Sequence, residues 1–162
     1  MSHLRRLSKY FARLVVPLWV REFRAERIRI RVRQATEQVL AVSQGRVIGG
    51  PFAGMEYVDE AHSSQLGPKL LGSYELEIAP VIEGVLNSDI TSVVDVGAAE
   101  GYYAVGLLRR NPACQVLAFE GSATAATAMR SLAMLNQVVD RLTIHGYCDH
   151  DELRRVLDPG PA

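Results

Sequence analysis

The chain has 162 residues, 48% of them apolar, with eighteen Lys+Arg against eighteen Asp+Glu, which suits a single globular domain with a sizeable core and an extension. The neutral total conceals a division: residues 1–40 hold ten basic and three acidic side chains (+7), leaving eight and fifteen (−7) for residues 41–162. No run approaches the roughly 20 apolar residues of a transmembrane helix. The basic start ahead of residues 14–20 is not a secretory signal, because Arg21, Glu22 and Arg24 stand where a small-residue cleavage site belongs. Cys114 and Cys148 show neither metal-ligand spacing nor a disulfide framework, so the expectation is free thiols and a reducing, cytoplasmic setting.

In chain order, Leu4, Leu7, Phe11, Leu14 and Leu18 recur at helical spacing among Arg5, Arg6, Lys9 and Arg13, and Pro17 ends or kinks that helix. A second apolar stripe, Ala25, Ile28, Val32, Ala35, Val39 and Val42, predicts a longer basic amphipathic helix, although RIRIRVR at 27–33 also alternates as a strand would. Residues 1–43 therefore read as a basic helical arm and residues 44–162 as the body. The arm suits an anionic surface such as membrane headgroups. Nucleic acid is disfavoured, since no aromatic platform accompanies the arginines. Packing of both stripes within the protein is the alternative.

Residues 44–58 offer two short apolar runs around Gly49, Gly50, Pro51 and Gly54, a hairpin or looped ribbon. Residues 59–69 read as a polar loop. A helix is expected to open near Ser73, with Glu75 and Glu77 in its first turn, where carboxylates suit the positive helix end, and with Pro80 tolerated only close to its start. Residues 92–122 then give an apolar run, a small-residue loop (Gly97, Ala98, Ala99, Glu100, Gly101), a helix over 102–110, a second apolar run over 116–119 and an acid, Glu120. That order is a βαβ unit. A helix over 123–138, a strand over 141–145 and a helix over 151–157 follow.

In open α/β sheets ligands lie at the carboxyl ends of the strands, where Asp95, the loop and Glu120 all fall. A dinucleotide fingerprint needs glycine where Ala99 and Tyr102 stand, and Glu100 sets a carboxylate where a helix N-terminus would receive phosphate. S-adenosylmethionine, with a cationic amino group and sulfonium, reverses that argument. Asp95 and Glu100 become favourable neighbours, Gly97 and Gly101 bring bare backbone against the methionine part, and backbone N–H groups can hold its carboxylate. Glu120, nineteen residues after Gly101, can accept both ribose hydroxyls. Taken singly, the glycines could serve a tight turn and Glu120 could cap the next helix. Tyr102 and Tyr103 read as packing residues. Cys148, His145 and His150 form no metal set, and Asp149 with Asp151 starts the last helix.

VVDVGAAEGYYAVGL followed by VLAFEGS resembles motif I and the acidic motif of class I S-adenosylmethionine-dependent methyltransferases. With PFAGMEYV and GPKLLGSYELEI upstream, the chain resembles the FkbM-like group over residues 46–158. The resemblance implies an α/β, Rossmann-like methyltransferase fold, here of three parallel strands in order 3-2-1 with flanking helices. It also implies methyl transfer to oxygen on a small or glycan-like acceptor. The cofactor contacts it implies are Asp95, Gly97, Ala98, Ala99, Gly101 and Glu120, with Tyr74 and Glu75 as secondary candidates.

Such a fold has seven strands, and five residues after Leu157 leave no room for the fourth, which should pair with the first. The expectation is an incomplete domain: a truncated product, a half completed by another chain, or a non-catalytic binding domain. Its first strand would be an apolar edge prone to self-association or to pairing with a partner chain. No residue is nominated as catalytic, since neither an acceptor-holding group nor a base can be read from the sequence.

Overall fold

The structure, a computed structural model, describes residues 18–57 and 66–157, with the backbone alone for residues 18 and 19. The helix expected before Pro17, most of the loop expected over 59–69 and the segment after Leu157 lie outside the described residues. The chain divides into two units, residues 1–38 and 39–162.

Helix α1, Leu18–Ser43, has the helical conformation that its spacing favours over a strand. The expected one-sided apolar face is absent. Phe23 and Ile30 fall opposite the stripe of Ile28 and Val32, and all four are exposed, so apolar and charged residues alternate around the helix. Glu26 pairs with Arg29 at 3.2 Å and Glu37 with Arg33 at 3.1 Å on its exposed surface.

The second unit opens with a looped ribbon in which Val47 donates to Met55 O at 2.9 Å and Tyr57 donates to Gly45 O at 2.7 Å. Leu66–Leu71 is a short helix, α2, where a loop was expected. Tertiary packing overrides its Gly and Pro: Lys69 and Leu70 are buried, and Ile48 of the ribbon donates to Leu70 O at 2.8 Å. At Gly72, φ +73°, an added Cβ would lie 1.9 Å from Gly49 O. Only glycine allows the two backbones to meet there.

The helix expected from Ser73 begins later. Glu75 is left-handed (φ 45°), Leu76–Ile78 form a 3₁₀ turn and α3 runs Ala79–Leu86 with Pro80 in its first turn. Pro80 lacks an N–H to donate and fits there, which moves the start of the regular helix past both glutamates.

Strands β1 (Ser92–Val96), β2 (Gln115–Phe119) and β3 (Leu142–His145) form one parallel sheet in the order β1-β2-β3, with Asp95 beside Ala118 and Phe119 beside His145. Helices α4 (Tyr102–Arg110) and α5 (Ala123–Leu135) make the crossovers, and α6 (His150–Leu157) follows β3. This is the expected Rossmann-like arrangement of parallel strands and flanking helices. Helix α5 is shorter than its apolar pattern suggested, because Asn136 caps it and a 3₁₀ turn, Val139–Arg141, leads into β3.

The core is built from Val47, Phe52 and Met55 of the ribbon, Leu70, Val105 and Leu108 of α4, Val116 and Ala118 of β2, and Met129 and Leu132 of α5. Two polar side chains reinforce it from a distance. The Arg141 guanidinium donates to Leu108 O (2.6 Å) and to Asn111 O and Cys114 O (each 2.9 Å), closing the C-terminal end of α4. The Asn136 amide accepts from Glu56 N (3.0 Å) and donates to Glu56 O (2.8 Å), docking the ribbon on α5. Strand β1 is an outer strand of the sheet, Val96 at its end is 57% exposed and α3 has no buried residue.

Candidate functional site

The carboxyl ends of β1 and β2 bring together Asp95, the loop after Val96 and Glu120. Asp95 lies near the start of α4, where the Ala104 backbone amide favours its charged form. Its Oδ2 is buried without a hydrogen-bond partner. Burial raises the Asp95 pKa above its ordinary 3.8, the Ala104 hydrogen bond opposes that rise, and the charge of Glu120 adds to it. A carboxylate oxygen left this way is suited to a cationic or hydrogen-bond-donating ligand.

The loop turns through left-handed conformations at Gly97 (φ 79°), Ala99 (φ 49°) and Gly101 (φ 91°). The two glycines differ in what they serve. A Cβ at Gly101 would lie 2.5 Å from Met129 Cγ, so Gly101 lets α5 pack against the loop, whereas Gly97 faces open space with nothing within 4 Å. Gly97 therefore leaves its backbone open on that side. Gly101 serves packing.

Four of the loop's N–H groups are engaged. Gly97 and Ala98 donate to Phe119 O (2.9 and 3.1 Å), Gly101 donates to Ala98 O (2.8 Å) and Ala99 donates to Glu120 Oε2 (2.8 Å). A ligand carboxylate could take these four amides only by displacing those partners.

Glu120 is organised by Ala99 at one oxygen and by the Ser122 amide at the other, Oε1, at 2.7 Å. The N-cap of α5 is the Ser122 side chain, which accepts from Ala125 N at 3.3 Å. Glu120 is therefore not the cap, and each of its oxygens retains a lone pair for a further donor. Tyr147, beyond β3 and 79% exposed, places ring atom Cδ2 3.6 Å from where a Gly121 Cβ would stand. Sequence reading passed over this aromatic side chain because nothing local distinguishes it; only the β3 register brings it to Gly121.

Glu100 is placed otherwise than expected. It is fully buried, its Oε1 accepts from the Tyr57 hydroxyl at 2.7 Å, and it pairs with Lys69, itself 3% exposed. Its charge is balanced inside the protein, so it is not a neighbour for a cationic ligand, and its supposed repulsion of phosphate does not operate. Lys69 lies 4.9 Å from the Tyr74 ring centroid and 5.6 Å from that of Tyr102. Tyr57 is raised well above the ordinary phenol range by burial and then by Glu100.

The secondary candidates meet the first turn of α4. Tyr74 packs edge-on against Tyr102 at 5.6 Å, and the Tyr103 hydroxyl donates to Glu75 Oε2 at 2.6 Å. Tyr102 is a buried packing residue, as expected. Asp149 Oδ1 accepts from Glu152 N at 2.8 Å, starting α6. Among the described residues no group of three or more His, Cys, Asp and Glu is placed to hold a metal ion, and no helix is long and apolar enough to cross a membrane. Cys114 and Cys148 are free thiols.

No family model matches the chain, and no curated protein matches it. Among solved structures it is similar to an O-methyltransferase family protein from Burkholderia thailandensis (16% identity, TM-score 0.37, covering 54% of this chain and 27% of that one). It is also similar to a proposed O-methyltransferase from Klebsiella pneumoniae (17%, TM-score 0.43, covering 79% and 48%). A third is an O-methyltransferase family 2 protein from Planctomyces limnophilus in complex with apigenin (22%, TM-score 0.37, covering 59% and 33%). The chain thus spans between about a quarter and a half of the length of these structures.

Proposed function

We propose that this chain is the S-adenosylmethionine-binding part of an O-methyltransferase of the FkbM-like type, acting in the cytoplasm on a small or glycan-like acceptor. The observation that carries the reading is the unpartnered Asp95 Oδ2 beside a loop whose amides are already engaged. Such a site suits a cation. Asp95 would take the positive amino end of the cofactor, the open face of Gly97 would admit its methionine backbone, and Glu120 would accept the ribose hydroxyls. Tyr147, beside Gly121, would stack on the base. The cofactor, when bound, supplies an electrophilic methyl group; the residues named here bind and orient it.

The test is equilibrium binding of S-adenosylhomocysteine to the wild-type chain and to Glu120→Ala. Binding by the wild type with at least a tenfold loss in the variant is expected, a difference of about 1.4 kcal/mol. No binding by either, or equal binding by both, refutes the assignment.

A second reading concerns α1, where Arg24, Arg27 and Arg31 share one surface with exposed Ile28, away from the Glu26–Arg29 and Glu37–Arg33 pairs. We propose that this stripe docks on an anionic lipid surface, arginines on the headgroups and Ile28 between them. Replacing the three arginines by glutamine should abolish salt-sensitive sedimentation with phosphatidylserine vesicles. Unchanged sedimentation excludes it.

A further inference from the structure

The buried Lys69–Glu100 pair contacts no proposed ligand group, yet Glu100 is part of the loop that carries Gly97 and Ala99. Three segments far apart in the chain converge on Glu100. The ribbon supplies the Tyr57 hydroxyl, α2 supplies the Lys69 ammonium, and the loop supplies the carboxylate itself. Burying both ions has a large desolvation cost that an apolar pair of the same volume would avoid. A pair retained at that cost in the middle of a ligand loop calls for a function beyond filling space.

The neighbouring residue shows what it does. Ala99 sits at φ 49°, a region costly for any residue with a Cβ and sustained only when the surroundings over-determine it. It is fixed from two sides. Glu100, next in sequence, is drawn inward by Lys69 and Tyr57, while the Ala99 amide is turned outward onto Glu120 Oε2 at 2.8 Å. One residue, Ala99, thus joins the inner carboxylate to the outer one through the peptides on its two sides.

We propose that Lys69 and Glu100 are positioning residues: the buried pair holds the Ala99 peptide in its left-handed turn and, through the Ala99 N–H, orients the Glu120 carboxylate toward its ligand. The inference rests on the cofactor reading for the identity of that ligand, but not for the coupling itself. It also assigns a role to α2 and the ribbon, since tethering to Glu100 makes the order of the cofactor loop depend on segments upstream in the chain.

The test uses the full chain and two variants. Lys69→Met/Glu100→Gln removes both charges at nearly constant volume and is expected to remain folded, because neutral replacement of a buried pair is often tolerated. Amide hydrogen exchange at Ala99 should accelerate, and S-adenosylhomocysteine affinity should fall, each about tenfold. Tyr57→Phe removes a single hydrogen bond to Glu100 and should produce both changes at roughly threefold, which keeps the test decisive if the double variant does not fold. A folded variant with wild-type exchange at Ala99 and wild-type affinity overturns the proposal and leaves the pair a prop of the fold. Absence of binding by the wild type refutes the cofactor reading instead, while exchange at Ala99 still decides the coupling.

Discussion

The loop after β1 is flanked by two pairs of charged groups that obey opposite rules. Inside, Glu100 and Lys69 are both buried, yet each charge has its counter-charge. Outside, Asp95 and Glu120 are of like sign, and Asp95 keeps an oxygen with no partner. The inner pair is balanced within the fold, whereas Asp95 Oδ2 has no hydrogen-bond partner there. Under the proposed cofactor reading, charge that holds a structure and charge that awaits a ligand stand only five residues apart, at Glu100 and Asp95. Breaking the inner pair from one side gives the largest effect. Lys69→Met leaves the Glu100 carboxylate buried and uncompensated, and should cost about 3–5 kcal/mol in urea unfolding.

Removing the outer charge should do the reverse. Asp95→Asn keeps an oxygen for the Ala104 amide but relieves the desolvated charge, so the free protein should gain on the order of 1 kcal/mol while losing affinity for S-adenosylhomocysteine. The pH dependence follows the same logic. Because the folded-state pKa of Asp95 is raised above 3.8, chiefly by burial, its neutral form favours folding. That contribution is full below the ordinary value and is lost as pH rises through the raised one. Binding of a cationic ligand runs the other way and strengthens over the same interval as the carboxylate ionises. Thermal unfolding and binding titrations across that interval should show opposite slopes in the wild type, and both slopes should be lost in Asp95→Asn. Parallel slopes would mean that Asp95 does not meet the ligand.

The placement of the outer residues was legible in the sequence because it is local. Asp95, Gly97, Gly101 and Glu120 lie on one strand–loop–helix–strand unit, and the apolar periods that define it place them at the strands' carboxyl ends without reference to anything remote. The inner pair was not legible. Lys69 looked like the end of a polar loop, since its burial depends on a ribbon and an aromatic cluster elsewhere in the chain, and a lysine among Gly, Pro and Leu carries no sign of its partner. Glu100 was misread for the related reason that spacing along a loop does not say which way a side chain turns. On α1 the helical spacing gave the right element, but the apolar residues off the stripe, Phe23 and Ile30, deny it a single apolar face.

The smallest expected effect sharpens the outer site. A glutamate just before a helix invites reading as its cap, and the geometry assigns that task to Ser122, whose hydroxyl oxygen receives Ala125 N. Ser122→Ala should therefore cost about 1 kcal/mol of stability. Its effect on S-adenosylhomocysteine affinity should stay within about twofold, since the Ser122 backbone amide still reaches Glu120 Oε1. Glu120→Ala should show the complementary pattern, with affinity lost and the α5 cap intact. If Ser122→Ala lost affinity as severely as Glu120→Ala, the acid would be acting through the start of α5 rather than on the ligand, and capping and binding would have to be treated as one function of the turn at residues 120–122.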